Sequence, residues 1–448
     1  MEIKNIGKRT TAYKRILDIL DKGSFMEIGE HAAARHTNFY QPGTVEESDG
    51  VITGYGTILG VLVYIYSQDS EVMGGTFGEV HGKKIRRLYE HALKSQAPII
   101  GLLDCQGFRI EEGLDGMNEF SKLYAMQAKA SGKIPQIISV VGRCGGGMSV
   151  SAIMADFIFI EKEHGNIFVN PERLLENVIA DGDYISAFDD GRYEWTDIVK
   201  NIRHLIDILP PSTEYSPLRN EQITDDPNRL CAGLTAGSGD ARKILKEIAD
   251  DHYFLECQPD KGPDMVCGFI RINGSTIGVV ATNEVNGEKR MSSVGCDKAA
   301  ALIEIAGKFN IPILTVIDTE GYHTTTENEK YLAGAASRMV KALCTTDVPR
   351  INLITGNVFG SAYSMLNSKG TGADYVFMWH GANVGIINPE QATEMIYGEY
   401  SEEKVAEYRD TYSSAIALAR SGLVDKVIQP EETRKYLAGA FETFVNSR

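Results

Sequence analysis

"VGRCGGGMSV", residues 141–150, sets three consecutive glycines directly after an apolar run. Adjacent glycines cost backbone entropy and weaken any regular element that contains them. A tight turn would account for them, and so would a ligand that binds to bare backbone. The flanking residues narrow the choice. "QIISVVG" before the glycines is short and apolar, as a buried strand is, and "GGMSVSAIMA" after them begins a helix. A helix start leaves backbone N–H groups unpaired and carries partial positive charge. Such a corner can hold an anion or a polarised carbonyl oxygen. Donors preorganised in this way stabilise developing negative charge by roughly 3 kcal/mol each.

The stretch has a counterpart. "IPQIISVVGRCGGG" (134–147) resembles "VPRINLITGNVFGS" (348–361), and "APIIGLLDCQG" (97–107) resembles "IPILTVIDTEG" (311–321). Pro98 and Pro312, Asp104 and Asp318, Gly142 and Gly356, and Gly146 and Gly360 are each 214 residues apart. Gly60 of "GYGTILGVLVYIYSQD" (54–69) and Gly274 of "GFIRINGSTIGVVATN" (268–283) keep the same separation. A constant offset over so long a stretch marks a duplicated domain, and a period this long is no solenoid repeat. "DILPPSTEYSPLRNEQITDDPNRL" (207–230) is rich in proline and polar residues, so it reads as the linker. The division falls near residue 225, giving halves 1–225 and 226–448.

Within the first half, residues 51–66 read as a hairpin with Gly60 near its turn. Residues 82–95 and 117–132 read as helices, the second ended by Gly132. "PIIGLLD" and "QIISVVG" read as buried strands, and "DFIFI" (156–160) as a further strand. Buried strands alternating with helices predict an α/β fold with crossover connections.

The totals exclude several classes. The chain has 448 residues and 43% hydrophobic residues, enough for two to four domains with real cores. A net charge of −16 argues against nucleic acid as the main ligand. It leaves room for small anions at a local basic concentration such as "GKKIRRLYEHALK" (82–94), whose plainer reading is a solvated helix face. There is no apolar stretch long enough for a membrane helix. The charged start "MEIKNIGKRTTAYKRIL" argues against secretion. Seven scattered cysteines without a CxxC pair suit reduced thiols in the cytoplasm and no cysteine-based zinc site.

Motif chemistry is thin. Neither corner carries GxxxxGK[ST], GxGxxG or GxSxG, which sets aside a phosphate loop, a dinucleotide fingerprint and a nucleophile elbow. His81 and His323 follow equivalent regions, with loop or core roles as the plainer reading. Asp104 and Asp318 end equivalent strands and would bond the turns that follow. Tyr322 and Tyr363 can contact ligand or simply pack. No nucleophile–base pair and no metal cluster is evident. An enzyme with few side-chain catalysts and two such corners would use backbone donors on enolates.

The doubled strand–glycine–helix corner resembles the crotonase superfamily. More closely, the chain is similar to carboxyltransferase subunits of biotin-dependent acyl-CoA carboxylases of the propionyl-CoA carboxylase beta type. The likeness runs through "LDKGSFMEIG" (20–29), "SDGVITGYGTILG" (48–60), "SQDSEVMGGTFGEVHGKKI" (67–85), "GRCGGGMSVSAIMADFIFI", "FNIPILTVIDTEGY" (309–322), "VFGSAYSMLNSKGTGADYVFMW" (358–379) and "ETRKYL" (432–437). It implies two tandem crotonase-like domains, each a ββα superhelix. The N-terminal corner would bind an acyl-CoA thioester, with N–H groups at Gly146 and Gly147 on its enolate. Gln106, Gly107, Phe108, Arg109 and Gly145 would lie around the acyl site. The C-terminal corner would hold the biotin ureido oxygen through N–H groups around Gly360, Ser361 and Ala362, with Tyr363 beside it. A carboxyl group would pass between carboxybiotin and the α-carbon of the acyl-CoA.

The resemblance also implies dimers in which the N-terminal half of one subunit faces the C-terminal half of another, stacked further into hexamers. No MKM-type biotinylation site and no ATP-handling signature occurs, so biotin would arrive on a separate carrier protein and be carboxylated by a biotin carboxylase subunit. No metal is expected. The alternative is the same reaction run backwards, in a decarboxylase acting on glutaconyl-, methylmalonyl- or malonyl-thioesters, some beside a sodium-pumping membrane subunit. Three departures stand out. Asp104-Cys105-Gln106-Gly107-Phe108-Arg109 replaces DSGGAR, Ser361 replaces a glycine, and Arg143 replaces a proline.

Overall fold

The computed structural model describes residues 10–39, 47–170, 192–214, 225–235 and 239–445. The chain divides into two compact units, Met1–Ser216 and Pro217–Arg448. The linker read from the sequence spans that division, and its residues 215–224 lie outside the described residues.

The first unit holds strands β1 (Met26–Glu27), β2 (Val51–Ile58), β3 (Val61–Gln68), β4 (Ile99–Cys105), β5 (Gln136–Gly145), β6 (Phe157–Glu161), β7 (Asn166–Phe168) and β8 (Arg192–Tyr193). Its helices are α1 (Thr11–Ile19), α2 (Glu79–Ser95), α3 (Leu114–Ala130), α4 (Gly147–Ile153) and α5 (Trp195–Ile208). The sheet runs β1-β2-β3-β4-β5-β6-β8, with β7 paired to β5. β1, β2 and β3 are antiparallel neighbours, and the pairs from β3 onward are parallel. Parallel neighbours need crossovers, supplied by α2, α3 and α4.

The second unit repeats the plan. Its strands are β9 (Phe254–Cys257), β10 (Met265–Ile272), β11 (Ser275–Thr282), β12 (Ile313–Thr319), β13 (Arg350–Phe359), β14 (Tyr375–Trp379), β15 (Asn383–Gly385) and β16 (Lys426–Ile428). Its helices are α6 (Ala241–Ile248), α7 (Ser293–Lys308), α8 (Thr326–Thr345), α9 (Ser361–Met365), α10 (Pro389–Tyr397), α11 (Glu402–Tyr408), α12 (Ala415–Arg420) and α13 (Thr433–Val445). The strand order is β16-β14-β13-β12-β11-β10-β9, with β15 paired to β13.

Each antiparallel hairpin closes on a two-residue turn, Leu59-Gly60 (φ 52° and 80°) or Asn273-Gly274 (φ 50° and 78°). Positive φ at both positions matches the right-handed twist of the flanking strands, which is why a glycine ends each turn. The core of the first unit lies between its sheet and α2 and α3, around Phe77, Ile85, Leu88, Leu103, Phe120 and Leu123. Leu302, Ile303, Ala306, Met339 and Leu343 of α7 and α8 are buried in the second unit.

The basic run 82–94 is neither an anion pocket nor a uniformly solvated face. Lys84 is buried and its ammonium donates to the carbonyl of Ser48 at 2.8 Å, while Arg86 pairs with Glu119 at 3.2 Å.

Candidate functional site

In the first unit, β5 ends at Gly145 and the chain turns through Gly146 (φ 60°, ψ −132°) into α4. That backbone region is essentially restricted to glycine, and a Cβ at Gly146 would otherwise meet open space. Gly147 is bare for a different reason: a Cβ there would lie 2.8 Å from the Tyr124 hydroxyl and 3.1 Å from the Phe120 ring. Tyr124 also donates to the Gly147 carbonyl at 2.7 Å.

The family resemblance implies that the Gly146 N–H serves the ligand. The structure spends it on the carbonyl of Phe168 at 2.9 Å, pinning β7 to the corner. Gly147 and Met148, as the first two residues of α4, point amides along the helix axis with no intrahelical acceptor. The next amide, on Ser149, returns to the Gly146 carbonyl at 3.2 Å.

The second unit builds the same corner. β13 ends at Phe359, Gly360 turns the chain (φ 69°, ψ −153°), and α9 begins at Ser361. The Gly360 N–H donates to the carbonyl of Gly385 at 2.9 Å, so it too is committed. Ser361 and Ala362 supply the two leading amides, and the Tyr363 amide returns to the Gly360 carbonyl at 3.3 Å. Tyr363 is half-buried, and its hydroxyl is buried with no hydrogen-bond partner within the protein. Burial raises its pKa.

Asp104 and Asp318 stand under these corners. Each sits at a register shift between the two central strands, at Leu103/Cys105 and Ile317/Thr319. The Asp104 carboxylate accepts from Ser70 at 2.7 Å and from the Arg143 amide at 3.3 Å. The Asp318 carboxylate accepts from Lys289 at 2.6 Å and from the Asn357 amide at 3.0 Å. They brace the neighbouring strand rather than the turn that follows. Gly142 and Gly356 make room for them, since a Cβ would come within 2.1 Å and 2.3 Å of a carboxylate atom.

Other sequence-predicted residues separate. Gln106 and Phe108 are exposed, and the Phe108 ring meets Phe120 edge-on at 5.1 Å, over Gly147. Gly107 (φ 124°) lies between them, its carbonyl accepting the Phe77 amide at 2.8 Å. Gly145 packs against the Phe168 ring. Arg109 does not face the site. It is 2% exposed, pairs with Asp49 and with Glu112 (2.7 Å), and donates to the Thr76 carbonyl at 2.8 Å. An arginine in a motif signals charge, and only packing shows that acids inside the unit use that charge. His81 is buried among Asp49, Gln68 and Phe77. His323 is half-buried, 3.4 Å from Glu288.

One segment carries more than its place in the family likeness suggests. Met73, Gly74 and Gly75 all have positive φ, and a Cβ at Gly75 would lie 2.1 Å from the Asp104 carbonyl. The loop thus lies directly on the β4 end, and "MGG" was the available signal. Among the described residues no group of three or more His, Cys, Asp or Glu is placed to hold a metal, and no helix is long and apolar enough to cross a membrane.

Comparison with known proteins agrees with this architecture. The carboxyl transferase domain family matches residues 5–191 and 194–448. The propionyl-CoA carboxylase beta chain of Roseobacter denitrificans is 32% identical over 98% of this chain and 91% of its own length. The methylmalonyl-CoA decarboxylase subunit alpha of Veillonella parvula is 30% identical, with the same coverage of each chain. The crystal structure of transcarboxylase 12S, a hexamer with methylmalonyl-coenzyme A and methylmalonic acid bound, superposes with a TM-score of 0.90 at 29% identity. It covers 99% of this chain and 91% of its own, so the two-unit crotonase-like fold expected from the sequence is the fold observed. The chain belongs to the carboxyl transferase domain family and is a carboxyltransferase subunit of the biotin-dependent acyl-CoA carboxylase type.

Proposed function

We propose that the enzyme moves a carboxyl group between carboxybiotin and the α-carbon of an acyl-CoA, one ligand at each corner. The observation that carries this reading is the corner built twice, each time with two leading amides free of intrahelical acceptors. Carboxyl transfer needs two carbonyl-bearing ligands whose enolates are stabilised in turn, and helix-start amides supply that stabilisation without a titrating side chain.

The N-terminal half, 1–225, takes the acyl-CoA. Gly147 and Met148 amides serve the thioester oxygen, Gly146 and Gly145 shape the turn, and Gln106, Gly107 and Phe108 border the acyl group. The C-terminal half, 226–448, takes biotin, with Ser361 and Ala362 amides on the ureido oxygen, Gly360 as the hinge and Tyr363 beside it. Biotin is delivered on a separate carrier protein after carboxylation by a biotin carboxylase subunit, and this chain needs no metal. The assembly is a dimer-based homo-oligomer, supported by the hexamer of the similar transcarboxylase 12S. The scattered free cysteines support a cytoplasmic setting.

The second reading is a biotin-dependent decarboxylase, favoured by the likeness to the Veillonella parvula decarboxylase subunit. Only there would a membrane subunit be a neighbour. The test supplies free biotin with malonyl-, methylmalonyl- or glutaconyl-CoA and measures biotin-dependent decarboxylation. We expect turnover with one of them and its loss in Gly146→Val, which cannot hold the glycine-only turn. No turnover with any thioester would overturn the reading. Co-purification then separates the directions: a biotin carboxylase subunit marks the carboxylase, a polytopic membrane subunit the decarboxylase.

A further inference from the structure

Two side chains after β4, Gln106 and Phe108, are large where DSGGAR has small residues. Both are exposed, but the structure gives them different surroundings. Gln106 lies against the Met73–Gly75 loop: a Cβ at Gly74 would be 3.3 Å from its amide carbon. Phe108 lies against the corner: a Cβ at Gly147 would be 3.5 Å from the tip of its ring. Only Phe108 therefore stands where it can meet an acyl group held there.

The ring is held from behind. The Phe77 amide donates to the Gly107 carbonyl at 2.8 Å, and the Arg109 amide donates to the Phe77 carbonyl at 3.0 Å. Both neighbours of Phe108 are thus tied to one buried residue, and the Arg109 side chain is locked by Asp49 and Glu112. The Phe108 ring meets Phe120 edge-on at 5.1 Å, and Phe120 is itself wedged between Phe77 at 4.3 Å and Tyr124 at 4.9 Å. Tyr124 closes the set through its bond to the Gly147 carbonyl. Edge-to-face contacts of this kind fix ring orientation as well as burying area. The rings form one tier that runs from the core of the first unit to its corner. Phe120 is 3% exposed and Phe108, the outer member, 37%. A ring fixed by buried aromatics and open on its outer side is a wall for whatever lies beside it.

We propose that Phe108 is the specificity-determining residue for the acyl group, and that its ring restricts the substrate to short acyl-CoA with nothing larger than a methyl group on the α-carbon. This rests on the reading of the first unit's corner as the acyl-CoA side. A wall that is packed from behind does not yield, so each further methylene must overlap with it or push the acyl chain out of place. Discrimination of one methylene in an apolar pocket amounts to about 10–200-fold in kcat/KM.

The test measures biotin-dependent decarboxylation of malonyl-, methylmalonyl-, ethylmalonyl- and butylmalonyl-CoA by the full chain with free biotin. In the parent, kcat/KM should fall at least about tenfold from methylmalonyl- to ethylmalonyl-CoA, and further for butylmalonyl-CoA. Phe108→Ala should raise the ratio of ethylmalonyl- to malonyl-CoA turnover at least about tenfold, and Phe108→Leu should raise it by less. The ratio isolates the wall, because a loosened fold lowers turnover of every thioester together. Gln106→Ala should shift the ratio less than Phe108→Ala, and an equal or larger shift overturns the proposal. A parent that takes butylmalonyl-CoA as well as malonyl-CoA overturns it, as does an unchanged ratio in Phe108→Leu or in a Phe108→Ala that still turns over malonyl-CoA. Turnover of glutaconyl-CoA alone overturns it and leaves carboxyl transfer intact. Absence of biotin-dependent turnover with every thioester overturns the underlying function instead, so the two failures are distinct.

Discussion

Packed against Phe77 and hydrogen-bonded through both ring nitrogens, His81 is held neutral. Burial first, then the nearby Arg109 charge, lowers its pKa from 6.5 to about 3. The folded chain refuses a proton that the unfolded chain accepts below pH 6.5. The stability contributed is therefore complete above pH 6.5 and declines on acidification, by about 1.4 kcal/mol per pH unit at most. Asp49, which bonds the same histidine, works in the opposite sense. Burial raises its carboxyl to about 6, so the folded state takes up a proton between about 6 and the ordinary 3.8 and gains stability there. His81→Gln separates the two. Its stability relative to the parent should improve by about 1.4 kcal/mol per pH unit below 6.5, read from urea unfolding at pH 7, 6 and 5. A difference that stays constant with pH refutes the argument. Both residues lie in stretches quoted for their motifs, and nothing in a lone histidine or aspartate announces burial. The corner glycines were legible because three together have few uses, yet which amide stays free depended on Phe168 and Gly385 as acceptors far along the chain.

α5 and α13 close their units by the same device. Asp21 accepts from the amides of the hairpin turn at Leu59 (3.1 Å) and Gly60 (3.0 Å), and Arg203 of α5 joins Asp21 at 3.0 Å to the carbonyl of Ile19 at 2.7 Å. Asp250 does the same for Asn273 (3.0 Å) and Gly274 (2.7 Å), held by Arg434 of α13, which also donates to the carbonyl of Ile248 at 2.7 Å. The constant offset misses this symmetry, because insertions between the elements change the separation. Burial sets the two arginines apart: the Arg434 side chain is 0% exposed and that of Arg203 28%. Removing one partner of a buried, hydrogen-bonded pair leaves an uncompensated charge. Arg434→Met should therefore destabilise the second unit by about 3–5 kcal/mol. Arg203→Met should cost about 1 kcal/mol, because solvent screens that pair. Equal losses in denaturant unfolding would show that the clamp is not where α13 acts.

At the scale of the whole molecule, a net charge of −16 coexists with large exposed apolar side chains. Ile110 and Leu114 are 88% and 79% exposed in the first unit, and Ile386 and Met395 are 81% and 80% exposed in the second. The proposed homo-oligomer is tested by mass rather than by these single exposed side chains, which occur on ordinary protein surfaces. Light scattering of the purified chain should give about six times the 49.2 kDa protomer mass. A monomer at micromolar concentration would remove the oligomer from the proposed function.

The sequence by itself determined the doubling, the α/β class, the two corners and the family. These follow from local periodicity, from glycine's backbone freedom, and from an offset preserved over the middle of each half. Tertiary structure alone decided which groups stay open at the corners and which are used within the fold. It withdrew Arg109 into a buried carboxylate pair and turned Asp104 and Asp318 to brace neighbouring strands. It also committed the Gly146 and Gly360 amides to distant carbonyls. The physical reason is the same in each case: a charged or hydrogen-bonding group is satisfied by whatever the fold brings near it, and that neighbour lies tens or hundreds of residues away in the chain.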